Sequence, residues 1–195
     1  MEEPGLKRMR LVHAFALAAM LTGALVACQG KSPDEALILA VRGNDVAKVE
    51  ALLAEGADPN ADKVPRYEGR PPLFHAATFG YVDVARALID KGAKVDYADP
   101  SGLTPLMVAA LNGPPSMVEL LLSTGASVDV SAGGATPLTE AVRKGDPVVL
   151  RLLLEAGAEP NAPMSDGSAP LCYAQSHNFG DAAEVIRQAG GQGEC

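Results

Sequence analysis

Aromatic residues are scarce in this chain of 195 residues, which has no tryptophan, four tyrosines and four phenylalanines. Hydrophobic residues nevertheless make up 48% of it. A core without many large rings has to be built from aliphatic side chains. The composition therefore predicts a core of alanine, leucine and valine.

Basic residues are also in short supply. Of the 16 basic and 24 acidic residues, three basic and two acidic ones precede Cys28, so the rest of the chain carries 13 and 22 and a formal net charge of −9. No basic stripe runs along the sequence. This balance argues against binding to nucleic acid and against electrostatic attachment to anionic lipid.

Sequence motifs of enzymes are absent as well. The chain contains no Gly-x-Ser-x-Gly, phosphate-binding glycine loop, His-Glu-x-x-His or Cys-x-x-Cys. Its three histidines, His13, His75 and His177, lack the spacing of metal ligands, and we interpret them as surface or helix residues. We expect no catalytic activity, no cofactor, no metal and no small-molecule substrate.

What the sequence does contain is a recurring pattern, clearest from Ser101 to Asp129. Thr104 is suited to cap a helix and Pro105 to be its first residue. Gly113 is expected to end this helix in the left-handed conformation. Apolar residues at helical spacing then predict a second helix that stops at Gly125: Met117, Val118, Leu121 and Leu122. Two helices of this size cannot bury such a stripe alone, so neighbouring copies must stack on it.

This pattern resembles the ankyrin repeat, a β-turn followed by two antiparallel helices. The glycines expected to end the second helices, Gly56, Gly92, Gly125, Gly157 and Gly190, are 36, 33, 32 and 33 residues apart, close to the family's period of about 33. The resemblance implies an all-α solenoid of about five helix-turn-helix repeats joined by β-turn fingers. We place the ankyrin-repeat domain at 34–195, with repeats at 34–66, 67–99, 100–131, 132–164 and 165–195.

Individual repeats depart from the family pattern. The histidine of Thr-Pro-Leu-His is replaced by Phe74, Met107, Thr139 and Cys172. Asparagine, which tolerates the left-handed conformation, replaces glycine between the helices of the first and last repeats, at Asn44 and Asn178. Asp34 is suited to be the N-cap of the first helix.

The β-turn fingers carry two further features. Three surplus residues fall within Ala61–Tyr67 and lengthen the first finger, which is either a solvated loop or an insertion used for binding. Carboxylates at Asp58, Asp96, Asp129 and Glu159 recur near the repeat period, and we interpret them as part of the finger architecture.

The N-terminus has the pattern of a targeting segment. Positively charged residues precede an apolar run from Leu11 to Leu25, and residues 25–28, Leu-Val-Ala-Cys, resemble a bacterial lipoprotein box. The resemblance implies a signal peptide at 1–27, cleavage before Cys28 and a lipid on its thiol, with 28–33 as a short tether. An uncleaved anchor is the alternative, although a run of about 15 residues is short for a spanning helix. Synthesis starts at either Met1 or Met9.

Export would place the two remaining cysteines in an oxidising compartment. Cys172 lies near the start of the last repeat, and Cys195 follows the end of its second helix, which returns to that neighbourhood. We predict a disulfide between them, with two free thiols as the alternative.

The ankyrin resemblance also implies where a partner binds, namely the surface made by the finger tips and the exposed side of the first helices. The candidate residues there are Tyr67, Arg70, Phe79, Leu103, Leu111, Asn112, Arg143 and Lys144. Apolar side chains left exposed by the fold indicate a contact patch.

Together these features predict a monomeric, non-catalytic protein-binding module anchored by lipid and facing the periplasm. Because Gln29 is not the aspartate that retains lipoproteins at the inner membrane of enterobacteria, analogy favours the outer membrane over the inner one, and exposure at the cell surface stays open. Two alternatives stay open: an immunity or inhibitor protein that neutralises a toxic or lytic enzyme, and a stress-defence accessory of a redox enzyme.

Overall fold

The computed structural model describes residues 32–193, and within this range it contains ten α-helices and no named β-strand. The helices come in five pairs: α1 (Pro33–Arg42) and α2 (Val46–Ala54), α3 (Pro72–Phe79) and α4 (Val82–Asp90), α5 (Pro105–Asn112) and α6 (Pro115–Ser123), α7 (Pro137–Lys144) and α8 (Pro147–Glu155), and α9 (Pro170–Ser176) and α10 (Gly180–Gln188). One 3₁₀ turn, Pro65–Tyr67, precedes α3.

The helices form two layers. Each odd-numbered helix packs against its own partner and against the odd-numbered helices before and after it, and the even-numbered helices do the same. The core between the layers consists of fully buried aliphatic residues such as Leu106, Leu121, Leu138 and Leu153, with alanines where helices approach closely. This arrangement confirms the predicted all-α solenoid of stacked helix pairs.

Helix starts follow the predicted chemistry. The Thr104 hydroxyl accepts a hydrogen bond from Met107 N at 3.3 Å, and Pro105 is the first residue of α5. Thr136 and Pro137 repeat this at α7. The prediction for Asp34 is wrong, because α1 already begins at Pro33. The Asp34 carboxylate instead accepts a hydrogen bond from Asp58 N at 3.0 Å in the first finger.

The turns between paired helices mostly have the expected backbone. Asn44 and Asn178 have φ of 54° and 61°, as predicted. Gly113 was expected to be left-handed, but it has φ −81° and ψ 164°. The reason is Pro114, since a proline forces the preceding residue into an extended conformation. Glycine is needed there for another reason: a Cβ would lie 2.9 Å from the Ala109 carbonyl oxygen.

Side chains at one finger position join each repeat to the next. The residue four positions after the glycine that ends the second helix accepts a hydrogen bond from a backbone N–H of the following finger, at 2.7–3.3 Å. The pairs are Asn60 with Lys94, Asp96 with Ser127, Asp129 with Glu159, and Asn161 with Gln192. The predicted finger role holds for all four carboxylates. Asp96 and Asp129 join adjacent repeats, whereas Asp58 and Glu159 occupy a different repeat position and accept bonds within their own fingers.

The lengthened first finger folds back onto α1. Val64 and Tyr67 are buried and pack with Ile38 and Leu39 in a small apolar cluster beside the main core. The insertion is thus part of the folded structure and not a solvated loop.

The predictions for both chain ends fall partly outside the described residues. Cys172 is disulfide-bonded, but Cys195 lies outside them, so the pairing of these two cysteines stays a prediction. The predicted signal peptide and the predicted lipid attachment at Cys28 also lie outside. Among residues 32–193, no helix is both long enough and apolar enough to cross a bilayer.

Candidate partner-binding surface

The predicted binding residues lie on the odd-numbered helices and the fingers before them, which we call the first-helix surface. Several of them line one of two cavities, and Phe79 exposes its ring to solvent. Tyr67 and Arg70 line one cavity, and Leu103, Leu111 and Arg143 line another. Asn112 and Lys144 are exposed and are the last residues of α5 and α7.

The larger cavity, which we call the arginine cavity, lies between the first and second repeats. Its volume is about 530 Å³, within the usual range for ligand sites. It is lined by Leu39, Arg42, Arg66, Tyr67, Glu68, Arg70 and His75. Helices α1 and α3 form two walls and the lengthened finger supplies the rest, so this cavity depends on the insertion.

Two of its three arginines have carboxylate partners. Arg70 lies 2.9 Å from Glu68 and 3.3 Å from Asp99, and Arg66 lies 4.0 Å from Glu35. Burial alone would raise the pKa of Asp99, but hydrogen bonds from Ser101, Leu103 N and Arg70 together lower it. Asp99 therefore stays ionised and neutralises Arg70.

Arg42 has no carboxylate within 4.0 Å among residues 32–193. Its guanidinium carbon lies 5.6 Å from the centre of the Tyr67 ring and 5.3 Å from that of Phe79. Its Nη1 lies 3.4 Å from Nδ1 of His75. Because arginine can only donate, Nδ1 is the acceptor, and the neutral imidazole carries its hydrogen on Nε2.

Two polar atoms of this cavity's lining are buried without a hydrogen-bond partner in the described part of the chain, Tyr67 Oη and His75 Nε2. Tyr67 is only 8% exposed and His75 4%, so Tyr67 lies in the interior and not on the open surface. Leaving such groups unpaired costs about 1–3 kcal/mol each. Burial, together with the charges of Arg42 and Arg70, lowers the pKa of His75 to about 4.

The second cavity, of about 250 Å³, is less polar. It is lined by Leu103, Met107, Val108, Leu111, Ala135, Glu140, Arg143 and Ser165. Glu140 is 5% exposed, and both of its carboxylate oxygens accept from Arg143 Nη1, at 3.1 and 3.0 Å. Glu140 therefore largely neutralises the charge of Arg143 within the same helix.

Phe79 is the most exposed of the predicted apolar residues, with 44% of its surface accessible. Its ring stacks on Tyr81, with centres 5.5 Å apart. Within residues 32–193 one other large hydrophobic residue is as exposed, Val148 at 49%, and it belongs to α8 in the other layer. Phe79 and Arg42 thus place an apolar and a cationic contact side by side at the edge of the arginine cavity.

The sequence does not predict Arg42 or Glu140 as residues of this surface, and it indicates His75 only as a surface or helix residue. Arg42 lies two positions before the inter-helix turn, as Leu111 and Arg143 do, and aligning the first repeat would have found it. His75 and Glu140 share the position three residues earlier. Their burial could not be found in this way, because the other repeats have apolar or aromatic residues there.

Comparison with known protein families agrees with the geometry. A family model described as "Ankyrin repeats (3 copies)" matches residues 17–99 and 37–132, and one described as "Ankyrin repeat" matches residues 133–165. The chain belongs to the ankyrin-repeat family. Ankyrin repeats generally form non-catalytic modules for protein–protein interaction.

Individual relatives are similar to parts of this chain. The chain is 38% identical over 91 residues, 46% of its length, to alpha-latrocrustotoxin-Lt1a of Latrodectus tredecimguttatus. It is 50% identical over 64 residues, 32% of its length, to the ankyrin repeat and KH domain-containing protein mask of Drosophila melanogaster. It is 35% identical over 117 residues, 52% of its length, to NF-kappa-B inhibitor delta of Mus musculus. The aligned parts cover 6%, 2% and 34% of those proteins.

Proposed function

We propose that the ankyrin-repeat domain binds a protein partner through its first-helix surface, as a monomer and without catalysis. The observation that carries this proposal is the exposed ring of Phe79 next to the unneutralised Arg42. Aromatic and arginine side chains contribute most of the binding energy in many interfaces. Leu103 and Leu111 extend the apolar contact along the neighbouring repeat.

Affinity purification from detergent-solubilised envelopes tests this surface. Phe79→Glu and Leu111→Glu are expected to lose partners that the wild-type chain retains, because each places a charge in the contact. Val148→Glu is the matched control, since it makes the same change at an exposed apolar residue of the other layer. If Phe79→Glu and Leu111→Glu retain every partner, the partner does not bind at this surface.

We further propose that a lipid on Cys28 holds the domain in the bacterial outer membrane, facing the periplasm. The supporting feature is the charged, then apolar N-terminal sequence that ends in Leu-Val-Ala-Cys. Metabolic labelling with palmitate is expected to mark the wild-type chain and not Cys28→Ser. A labelled Cys28→Ser chain, or an unlabelled wild type in the soluble fraction, would contradict the anchor.

An inhibitor or immunity role is a second candidate. Its support is the similarity to a mouse protein whose name describes it as an inhibitor, over 52% of this chain. Once a partner is purified, adding the ankyrin-repeat chain in equal amounts is expected to suppress that partner's enzymatic or toxic activity. A partner that keeps full activity in the complex would favour a scaffold instead.

A further inference from the structure

The arginine cavity has the composition of an anion-binding site. We propose that it binds an oxyanion, a carboxylate or phosphate group, through the guanidinium groups of Arg42, Arg66 and Arg70, with Tyr67 and His75 in its wall. This inference goes beyond the proposed function, because an anion can bind here whether or not a protein binds the first-helix surface.

The charges of the lining favour an anion. Three guanidinium groups and one carboxylate, that of Glu68, line the cavity. Glu68 is already paired with Arg70 at 2.9 Å, whereas Arg42 has no carboxylate partner among the residues the structure describes. The positive charge of Arg42 is therefore left for a ligand, in a chain whose formal net charge is −8.

The unpaired polar atoms also favour an anion. Nδ1 of His75 lies 3.4 Å from the Arg42 guanidinium, which fixes the ring hydrogen on Nε2. That Nε2–H and the hydroxyl of Tyr67 are both buried and without partners within residues 32–193. Both can donate to an oxygen, and neither side chain is charged. Neither atom is exposed to the cavity as it stands, so they donate to a carboxylate or phosphate only when their side chains turn towards it.

The alternative is that the cavity is a purely structural polar cluster, as around Glu140 and Arg143. The two regions differ in one respect. Arg143 donates to both oxygens of a buried carboxylate on its own helix, so that cluster is complete. At Arg42 the corresponding neighbour is an imidazole whose other nitrogen has no partner in the described chain.

The test uses the full chain, purified in detergent and labelled with ¹³C-histidine. Inorganic phosphate and succinate are titrated against sodium chloride of equal ionic strength. The His75 resonance, assigned with His75→Gln, is expected to shift saturably with either anion and not with chloride. The pKa of His75 is expected to rise from about 4, because the anion offsets the charges of Arg42 and Arg70.

Two variants separate the cavity from general charge effects. Arg42→Gln is expected to weaken anion binding about tenfold or more, the scale of one charge-assisted hydrogen bond. Arg86→Gln removes an exposed arginine on α4 that does not line the cavity, and it is expected to bind as the wild type does. Equal weakening in both variants, or no saturable shift with any anion, would overturn the proposal.

A further titration distinguishes the source of the anion. A hexaglutamate peptide with blocked ends presents the carboxylates of an acidic protein segment. If it saturates the His75 shift at a lower carboxylate concentration than succinate does, the site takes a protein segment. The reverse order assigns the site to a small free anion, and both results support an oxyanion site. Anion binding that persists in Leu111→Glu, which lies at the other cavity, alongside loss of protein partners, would show that the two surfaces act separately.

Discussion

The first and fourth repeats place an arginine at the same position, two residues before the turn between their helices, and use it differently. In the fourth repeat Arg143 donates to the buried Glu140 three residues before it. In the first repeat the residue three before Arg42 is Leu39, and the arginine reaches across to His75 of the next repeat. We call the cluster of Arg143 and Glu140 closed, because its charges pair with each other. We call the cluster of Arg42 and His75 open, because Arg42 has no carboxylate partner among residues 32–193.

The difference lies in the neighbours and not in the scaffold. The lengthened first finger brings Tyr67, Arg66 and Arg70 against α1 and encloses a cavity there. No such insertion precedes α7, where Glu140 of the same helix pairs with Arg143. The repeat framework thus sets the backbone position of a side chain. The length of the finger and the residues of the adjacent repeat determine whether the charge of that side chain is neutralised.

The open cluster is expected to make stability depend on pH. The folded state lowers the pKa of His75 from 6.5 to about 4, so the unfolded chain binds its proton first. Stability is then complete above pH 6.5 and falls as the pH drops towards 4, by about 3 kcal/mol in total. Urea unfolding across this range should follow that slope.

His75→Gln should largely remove this slope between pH 6.5 and 4. His177→Gln is the matched control, because His177 is exposed at the end of α9 and is not part of the cavity. A wild-type slope that survives in His75→Gln would mean that the histidine is not the group responsible.

Truncating the two equivalent arginines should have unequal effects. Arg143→Ala leaves the carboxylate of Glu140 buried and unpaired, which we expect to cost about 2 kcal/mol. The loss stays below that of a fully buried pair because the Arg143 side chain is 49% exposed. Arg42→Ala removes only contacts with rings and an imidazole, for which we expect about 1 kcal/mol or less.

Denaturant midpoints of the two variants measure this difference. Glu140→Gln combined with Arg143→Ala should recover part of the loss, since no unpaired charge is left behind. Equal destabilisation by the two single variants would show that the ion pair of Arg143 and Glu140 contributes no more to stability than the contacts of Arg42 do.

Much of the fold followed from the sequence because each feature has a local cause. Threonine and proline at Thr104 and Pro105 specify a helix start within four residues, and asparagine at Asn44 specifies a left-handed turn. Gly113 escaped the same reasoning although its cause is also local. Pro114 forces Gly113 into an extended conformation, and the spacing of the glycines alone does not predict this.

The candidate site was harder to predict because its properties arise between repeats. Phe79 could be placed on the surface from its repeat position, and it is exposed. The repeat pattern predicts Tyr67 as a surface contact, whereas the folding of the insertion onto Ile38 buries it. Which polar atoms lose their partners, at Tyr67 and His75, depends on that packing and has no signature in the sequence.

The smallest expected effect distinguishes the ring of Tyr67 from its hydroxyl. Tyr67→Phe keeps the packing on Ile38 and Val64 and removes only a buried oxygen that has no partner in residues 32–193. Removing a paired hydroxyl would cost about 1 kcal/mol, whereas removing an unpaired one should cost nothing or raise stability. Without added anion, denaturant unfolding should therefore give equal or higher stability for Tyr67→Phe than for the wild type. If Tyr67→Phe instead loses about 1 kcal/mol of stability in the absence of anion, water already forms a hydrogen bond with this hydroxyl. The polar groups of the first repeat would then be as fully paired as those of the fourth.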